Sequence, residues 1–358
     1  MPGLPKLLDI GVRLDDAAER EARRRLAQLT KPPGSLGRLE DLLVRLCAIQ
    51  GRCPPSVRDP VIFTLAGDHG VVAQGVSAYP QVVTAQMVEN FLNEGAAVNA
   101  LARHAGARVV VGDLGVVGPL PDHPALRHHK VGPGTKDMTR GSAMTRAEAL
   151  QAIEAGIGLV EEERARGADL VGTGEMGIGN TTAASALVAA LTGAAPERVT
   201  GPGTGVDEAG RRRKVEAIRR ALEVNRPVPG DPLDTLAKVG GFEIAGLVGV
   251  ILAGATHRLP VVLDGFIAGA AALVASRLKP DIGTALIAAH RSSEPGHSRV
   301  LDDLSLEPYL DLGMRLGEGT GAALCINLAR AACAVFTEMA TFKSAGVSDR
   351  ADTPGASS

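Results

Sequence analysis

The sequence predicts an α/β protein in which a mostly parallel, doubly wound sheet carries helices on both faces. From residue 61 onwards, short apolar runs alternate with longer stretches of helical periodicity, which is the pattern of strands and crossover helices. The short runs are apolar at successive positions, as expected for strands buried on both faces of a parallel sheet. Together these observations indicate a three-layer, Rossmann-like architecture.

Five segments are predicted to form the strands: 61–66, 108–115, 168–174, 259–265 and 283–290. Helical patterns occupy 12–29, 38–50, 83–104, 145–166, 181–192, 207–224, 243–257, 266–278 and 321–341. Thr145 and Glu148 have the spacing of a capping box, and Asp207 is a candidate N-cap. The segment 31–37 (KPPGSLG) separates the first two helices, because its prolines and glycines interrupt helical structure.

Charge and composition exclude some classes of protein. The 358 residues include 38 Lys and Arg against 40 Asp and Glu, a net charge of −2, so binding to nucleic acid through bulk positive charge is excluded. With 6 Phe, 2 Tyr and no Trp, stacking platforms for bases are also nearly absent. We therefore expect that the protein does not bind nucleic acid.

The N-terminal residues and the cysteines bear on localisation. The first twenty residues lack the apolar core of a signal peptide, and no uncharged stretch reaches the ~18 apolar residues of a membrane span. The 4 cysteines have no CxxC spacing and are expected to be buried free thiols in a reducing compartment. We therefore expect a cytoplasmic protein with no membrane contact.

Polar, glycine-rich loops follow the carboxyl ends of the predicted strands. They are 67–70, 112–113, 172–180, 264–265 and 290–294. In open parallel sheets, ligands bind at this edge, so these loops predict a substrate cavity.

The segment 172–182 (GTGEMGIGNTT) is the most informative of these loops. Its exposed backbone N–H groups, followed by a helix that Asn180 and Thr181 can open, are suited to a phosphate; alternatively, the glycines only permit the turn. Gly172, Gly174 and Gly177 also match GxGxxG, but this is a weak indication of dinucleotide binding. A dinucleotide site needs a helix that starts inside the motif and an acidic residue at the end of the next strand, whereas here further glycine and Asn180 come first and Glu197 lies in a proline-containing loop.

Two further segments carry candidate site residues. The glycine loop 200–205 precedes the basic run 211–214, which is either a solvated helix face or, through one member, a phosphate ligand. Glu318 is isolated among glycines ahead of a long apolar helix. In apolar surroundings its pKa would be raised, as a general base requires; as a helix N-terminal acid it would instead be lowered.

The histidines do not have the spacing of a metal site. Asp68-His69 follows the first predicted strand and is either a substrate contact or an ordinary loop pair.

With these residues assembled, the chain from about residue 25 to 342 resembles the nicotinate-nucleotide–dimethylbenzimidazole phosphoribosyltransferases of the cobalamin lower-ligand pathway. The segments that carry the resemblance are KPPGSLGRLE (31–40), GDHGV (67–71), GTGEMGIGNTT (172–182), KVGGFEIAG (238–246), LPVVLDGF (259–266), LSLEPYL (304–310) and RLGEGTGAA (315–323). Several blocks in one order are more specific than any single glycine motif.

The resemblance implies transfer of the phosphoribosyl group of nicotinate mononucleotide to 5,6-dimethylbenzimidazole, giving α-ribazole 5′-phosphate and nicotinate with inversion at C1′. It assigns the general base to Glu318 and a secondary role to Glu175. The other residues predicted to lie at the substrates are Asp68, His69, Tyr79, Met87, Gly177, Gly179, Asn180, Thr181, Gly203, Lys214, Asp264 and Leu316. Tyr79 and Met87 either contact the base or only line its wall, and Asp264 either contacts the ribose or positions a loop.

The resemblance also implies a homodimer, and neither a cofactor nor a metal. A small helical domain would consist of 1–60 with 321–345, the catalytic domain of 61–320, and 346–358 would be a disordered tail. Two other functions remain open from sequence: an NAD-binding oxidoreductase that uses GTGEMG, and a protein that only binds an aromatic base.

Overall fold

The computed structural model describes residues 3–348. Its strands are β1 (Pro60–Gly67), β2 (Arg108–Gly115), β3 (Leu126–His128), β4 (Leu170–Met176), β5 (Val261–Leu263) and β6 (Leu286–Ala288). Its helices are α1 (Leu4–Asp9), α2 (Asp16–Gln28), α3 (Arg38–Gln50), α4 (Val83–Leu92), α5 (Ala97–Ala105), α6 (Arg146–Ala165), α7 (Asn180–Thr192), α8 (Pro196–Val199), α9 (Glu208–Asn225), α10 (Pro232–Val239), α11 (Phe242–Thr256), α12 (Phe266–Leu278), α13 (Pro295–Asp303), α14 (Thr320–Glu338) and α15 (Phe342–Ala345). Two 3₁₀ helices lie at Gly70–Gln74 and Pro280–Ala285.

The six strands form one sheet in the order β3-β2-β1-β4-β5-β6, and every pair of neighbours is parallel. All five predicted strands are confirmed, and β1 and β4 are buried almost throughout. The edge strand β3 was not predicted, because its three residues, LRH, contain no apolar run.

Helices cover both faces of the sheet. On one face, Leu65 of β1 and Leu114 of β2 lie against Gly246 of α11, where a β-carbon would meet both leucines. On the opposite face, Ile62 of β1 and Ala322 of α14 surround Gly172 in the same way. The glycines therefore let helix and strand approach closely, and the predicted three-layer α/β arrangement is confirmed.

The predicted helices are largely confirmed, with one correction. The pattern over 83–104 is not one helix but two, α4 and α5, because the chain turns at Glu94, whose φ is +57°, and at Gly95. Thr145 forms its capping box with Glu148, and Asp207 accepts a hydrogen bond from Gly210 N–H as an N-cap. Short helices at 4–9, 196–199, 232–239, 295–303 and 342–345 were not predicted.

The chain divides into two compact units: residues 1–13 with 58–327, and 14–57 with 328–358. In the smaller unit α2 lies against α3, around a buried cluster that includes Leu26, Leu43, Cys47 and Phe336. The predicted domain division, with 1–60 and 321–345 in the small domain, stays a prediction; in the two compact units, the described residues up to 13, together with 58–60 and 321–327, belong to the larger one. Of the predicted disordered tail, 346–348 are described, and 349–358 lie outside the described residues.

One helix of the described chain, α14, is long and apolar enough to cross a membrane by length and composition alone. Half of its apolar window is buried inside the protein. Core helices of soluble proteins pass the same test, so this single helix is weak evidence for a membrane span. Cys47 and Cys325 are buried and Cys53 and Cys333 half-buried, and none of these four described residues forms a disulfide.

Candidate active site

Glu318 lies in a loop that the carboxyl ends of two central strands hold in place. Its carbonyl oxygen accepts a hydrogen bond from Thr64 Oγ1 of β1 at 2.8 Å, and its N–H donates to the carbonyl oxygen of Glu175 in β4 at 3.2 Å. Its φ of +65° is in the left-handed region, which is uncommon for a residue other than glycine and is maintained here by the surrounding structure.

Asp264, directly after β5, holds the other side of the same loop. Its Oδ1 accepts from the N–H groups of Gly321 and Ala322 at 2.6 and 3.1 Å, and its Oδ2 accepts from Gly319 N–H at 3.2 Å. These amides lie at the start of α14, where N–H groups have no partners within the helix. Since both carboxylate oxygens bind this loop, the contacts favour loop positioning, not ribose binding, as the role of Asp264.

Glu175 lies beside Glu318 at the end of β4. Its side chain accepts a short hydrogen bond from the amide of Asn180, at the start of α7, and its Oε1 lies against Gly317. Both glutamates are 5% exposed. The Oε2 atom of Glu318 has no hydrogen-bond partner among the described residues, so this oxygen can take a proton from a bound molecule.

Burial changes the protonation of this carboxylate cluster. It raises the pKa of Glu318 above its usual value and that of Asp264 to about 7. Burial, together with the charges of Glu243, Asp264 and Glu318, raises the pKa of Glu175 well above its usual value. These surroundings favour the neutral form of Glu175, and the raised pKa of Glu318 agrees with the general-base interpretation, not with that of a helix-terminal acid.

Asp68 and His69 follow β1 and are both buried. His69 Nε2 lies 2.7 Å from Glu243 Oε1 in α11. Burial opposes a charge on His69, but the carboxylate of Glu243 outweighs it and raises the pKa of the imidazole. Asp68 accepts from Val117 N–H at 2.7 Å, and burial raises its pKa. The contacts described here join these two residues to Glu243 and Val117, and a contact of Asp68 or His69 with substrate stays a prediction.

A second group of predicted residues forms an enclosed loop site. Lys214 in α9 is completely buried, and its ammonium donates to Thr181 Oγ1 at 2.9 Å and to the carbonyl oxygen of Gly201 at 3.1 Å. Burial lowers its pKa to about 8. Gly203, with φ +56°, lies over this ammonium: a β-carbon on it would be 2.7 Å from Nζ. A buried lysine next to glycine amides is suited to an anion.

Gly177 and Gly179 connect β4 to α7. A side chain at Gly177 would collide with the carbonyl oxygen of Gly67, and Gly179 has a φ of +94°. The N–H of Ile178, between them, donates to Thr84 Oγ1 of α4 at 3.1 Å. Gly179 therefore provides the left-handed turn that starts α7.

Tyr79, Met87 and Leu316 are more accessible than the carboxylates. Tyr79 is 54% and Leu316 58% exposed, and Met87 is half-buried in α4, one turn after Thr84. The segment before Tyr79 is tied to the glycine loop, since Ala78 N–H donates to Thr204 Oγ1 at 3.3 Å. Whether Tyr79 and Met87 contact a base stays a prediction.

The proposed dinucleotide motif is not in the position that dinucleotide binding requires. Gly172 and Gly174 lie inside β4, and a β-carbon on Gly174 would collide with the carbonyl oxygen of Glu318. These glycines are needed for close packing of the strand, and the helix begins only at Asn180. The oxidoreductase alternative is therefore not supported.

Sequence reasoning missed several residues of the site. Glu243 pairs with His69, Glu294 accepts from Gly203 N–H at 2.8 Å, and Arg315 Nη1 donates to the carbonyl oxygen of Gly203 at 2.8 Å. All three lie in segments that the sequence analysis singled out, but their partners are more than 90 residues away. Within residues 3–348, no group of three or more His, Cys, Asp or Glu is arranged to hold a metal ion.

A family model described as phosphoribosyltransferase matches residues 12–347. The parallel sheet, the carboxylate cluster at its edge and this match place the chain in the class of phosphoribosyltransferases, which are pentosyltransferases.

Known relatives narrow this class. The nicotinate-nucleotide–dimethylbenzimidazole phosphoribosyltransferase of Roseiflexus sp. (strain RS-1) is 56% identical over 95% of this chain and 96% of its own length. The enzyme of the same name from Chloroflexus aggregans is 57% identical over 94% of this chain and 96% of its own length. A crystal structure of the enzyme from Thermus thermophilus has a TM-score of 0.89 at 50% identity, covering 94% of this chain and all of that one. The chain belongs to the nicotinate-nucleotide–dimethylbenzimidazole phosphoribosyltransferase family.

Proposed function

We propose that this protein transfers the 5-phosphoribosyl group of nicotinate mononucleotide to 5,6-dimethylbenzimidazole, in assembly of the cobalamin nucleotide loop. The names of its relatives support this reaction. In the structure, the observation that carries this proposal is the carboxylate of Glu318. It is buried at the carboxyl ends of the strands, and its Oε2 atom has no hydrogen-bond partner among the described residues.

The reaction needs one base and no general acid. A nitrogen of the benzimidazole attacks C1′ with its lone pair, and the bond from C1′ to the pyridinium nitrogen breaks, so that nicotinate leaves with the bonding electrons as a neutral ring nitrogen. The other nitrogen of the benzimidazole gives its proton to Glu318. Attack opposite the leaving group inverts C1′ and converts the β-nucleotide to an α-product. Glycoside hydrolysis, in contrast, uses two carboxylates.

Glu175 supports this base because its raised pKa favours the neutral form beside Glu318. Two ionised carboxylates in a buried site repel each other, so a neutral Glu175 leaves the negative charge on Glu318. Asp264 keeps Glu318 in its position through the amides of the 319–322 segment.

The donor phosphate is proposed to bind the 201–205 loop and the start of α7. Lys214 supplies a charge-assisted hydrogen bond, and the other proposed contacts are Gly177, Gly179, Asn180, Thr181 and Gly203. Tyr79, Met87 and Leu316 are proposed to line the binding site of the base. Asp68 and His69 are proposed to lie close to the substrates.

Assembly and location are further proposals. A homodimer follows from the family resemblance, with a small domain of 1–60 and 321–345 that closes the partner's site. The four cysteines, all among the described residues, form no disulfide, which supports a reducing compartment, the cytoplasm.

A product assay tests the function. The protein is incubated with nicotinate mononucleotide and 5,6-dimethylbenzimidazole, and the products are separated and analysed by mass and anomeric configuration. Release of nicotinate matched by an α-linked ribazole phosphate is expected. Binding of the base without turnover would instead indicate a base-binding protein, and tight NAD binding without transfer an oxidoreductase.

A further inference from the structure

Glu294 is a buried carboxylate in which only one of the two oxygens accepts a hydrogen bond from a described residue. It directly precedes α13 and is 4% exposed. Its Oε1 accepts from the N–H of Gly203 at 2.8 Å, while its Oε2 has no hydrogen-bond partner among the described residues. A buried carboxylate oxygen without a partner is destabilising, so its position calls for a functional explanation.

The contact with Glu294 keeps the 201–205 loop closed over Lys214. The N–H of Gly203 binds Glu294, and its carbonyl oxygen accepts from Arg315. The α-carbon of Gly203 faces the ammonium of Lys214, which donates to the carbonyl oxygen of Gly201 and has no exposed surface. In this arrangement an incoming anion can reach neither the Gly203 amide nor the lysine.

We propose that Glu294 is a positioning residue that occupies the anion position of the 201–205 loop in the unliganded protein, and that the 5′-phosphate of the donor displaces it. This inference rests on the proposed function, since it takes the loop to be the donor's phosphate site. A phosphate offers three strong acceptor oxygens, enough for the Gly203 amide and the Lys214 ammonium together. Two anions at one amide repel each other, which raises the free energy of the complex. The phosphate can therefore bind the Gly203 amide only when Glu294 moves away.

This arrangement makes the loop selective for phosphomonoesters. An uncharged nucleoside has no group that competes with a carboxylate for an amide and an ammonium. Such a ligand leaves the loop closed and Lys214 covered. Glu294 therefore contributes to discrimination between a nucleotide donor and the corresponding nucleoside.

The test uses Glu294→Gln in the full chain, with inorganic phosphate as the probe. Glutamine keeps an acceptor for Gly203 N–H but removes the competing charge. We expect the dissociation constant of phosphate, measured by calorimetry, to fall about tenfold, the effect of removing one nearby like charge. The KM of the donor should fall in parallel, with kcat changed less than about threefold.

Glu208→Gln is the matched control. It removes a carboxylate from the start of α9, where Glu208 is exposed and pairs with Arg211 and Arg212. We expect no change in phosphate affinity. Equal gains in both variants would mean a general charge effect and would overturn the proposal.

A second variant, Glu294→Ala, opens the loop by removing its acceptor. Hydrogen exchange of the 200–206 segment should become faster without ligand and return to slow exchange with phosphate. Weaker or unchanged phosphate binding in the Gln variant, or in a folded Ala variant, would overturn the proposal. So would absence of phosphate binding in both the wild type and the Gln variant. Failure of the proposed function would appear separately, as absence of glycosyl transfer by the wild-type protein.

Discussion

At the scale of single residues, Glu318 combines a strained backbone, burial and one carboxylate oxygen without a partner among the described residues. Its left-handed φ is stabilised by the contacts of its backbone with Thr64 and Glu175. Residues held in such conformations concentrate at functional sites. The backbone of Glu318 is therefore fixed, so that its carboxylate starts from a defined position for the proposed proton transfer.

Glu318→Gln tests the base directly. We expect kcat to fall by ~10²–10⁴ with the thermal stability retained, because a positioned base contributes about this factor. In the wild type, the rate should rise with pH through the raised pKa of Glu318 and then level off, since only the ionised form accepts a proton. Near-normal turnover in a folded Gln variant would contradict the assignment.

Lys214→Ala tests the phosphate site. Loss of a charge-assisted hydrogen bond worth ~1.5–3 kcal/mol should raise the KM of the donor about 10- to 100-fold. The KM of the base should change by less than about twofold. Because the pKa of Lys214 is about 8, wild-type donor affinity should decline above that pH. Arg211→Ala is the control, because Arg211 lies in the same basic run but is only half-buried and is paired with Glu208. Equal effects of Lys214→Ala on donor and base would refute the role.

At the scale of elements, three neighbouring strands determine where the loop that contains Glu318 lies. Thr64 of β1 and Glu175 of β4 form hydrogen bonds with the backbone of Glu318, and Gly174 of β4 leaves room for it. Asp264, directly after β5, accepts hydrogen bonds from the amides that follow Glu318. This explains why a glycine is required inside β4, where it would otherwise weaken a strand.

Gly174→Ala should displace the Glu318 loop. The added methyl would collide with the carbonyl of Glu318 and lie 2.7 Å from Gly319 N. A shift of about 1 Å can reduce the rate ~10²-fold, so we expect kcat to fall by about that factor. Phosphate affinity should change by less than about threefold. Gly283→Ala is the control, because a methyl there meets no atom within 4 Å, and it should leave kcat and phosphate affinity unchanged. An unaffected kcat in Gly174→Ala would show that the position of the Glu318 loop is not critical.

At the scale of the whole molecule, the larger unit buries several titratable groups whose pKa values are shifted in the native state. Burial raises the pKa of Asp68, Glu175, Asp264 and Glu318, and the pKa of His69 is also raised. Burial lowers the pKa of His290, and that of His297 to about 3. Each of these shifts couples folding to pH.

Thermal stability of the unliganded protein should fall as pH rises from about 6.5 to about 8. In this window native Asp264, whose pKa is about 7, and His69, whose pKa is raised, still bind protons that the unfolded chain has released, so the native state binds more protons and is destabilised by their removal. Lys214, whose native pKa is lowered to about 8, partly offsets this decline towards the upper end of the window, because the unfolded lysine keeps its proton. His290 and His297 act in the opposite direction only below about pH 6.5, where the unfolded histidines are protonated. The measurement is the melting temperature against pH.

Asp264→Asn should make this decline shallower, since it removes a group that titrates near pH 7 in the native state. Glu148→Gln is the control, because hydrogen bonds from Thr145 lower the pKa of Glu148 and place its titration below the window. A melting temperature that rises between pH 6.5 and 8 in the wild type would contradict the account.

The sequence by itself determined the α/β class, five of the six strands and the family. Buried parallel strands are continuous apolar runs, and the helices between them have a regular period, so local patterns contain this information. Glu318 was also identifiable, because a lone carboxylate among glycines is a local feature. The edge strand β3 and the break at Gly95 were missed, since a three-residue strand has no pattern and the period of α4 and α5 is nearly continuous.

Only the tertiary structure decided how the site residues are paired. His69 with Glu243, Gly203 with Glu294 and Asp264 with the 319–322 amides are each separated by more than 50 residues. It also decided that Glu318 is a buried carboxylate with a raised pKa, not a solvated helix cap. A pKa depends on burial and on neighbouring charges within a few ångströms, and folding, not local sequence, brings those neighbours together.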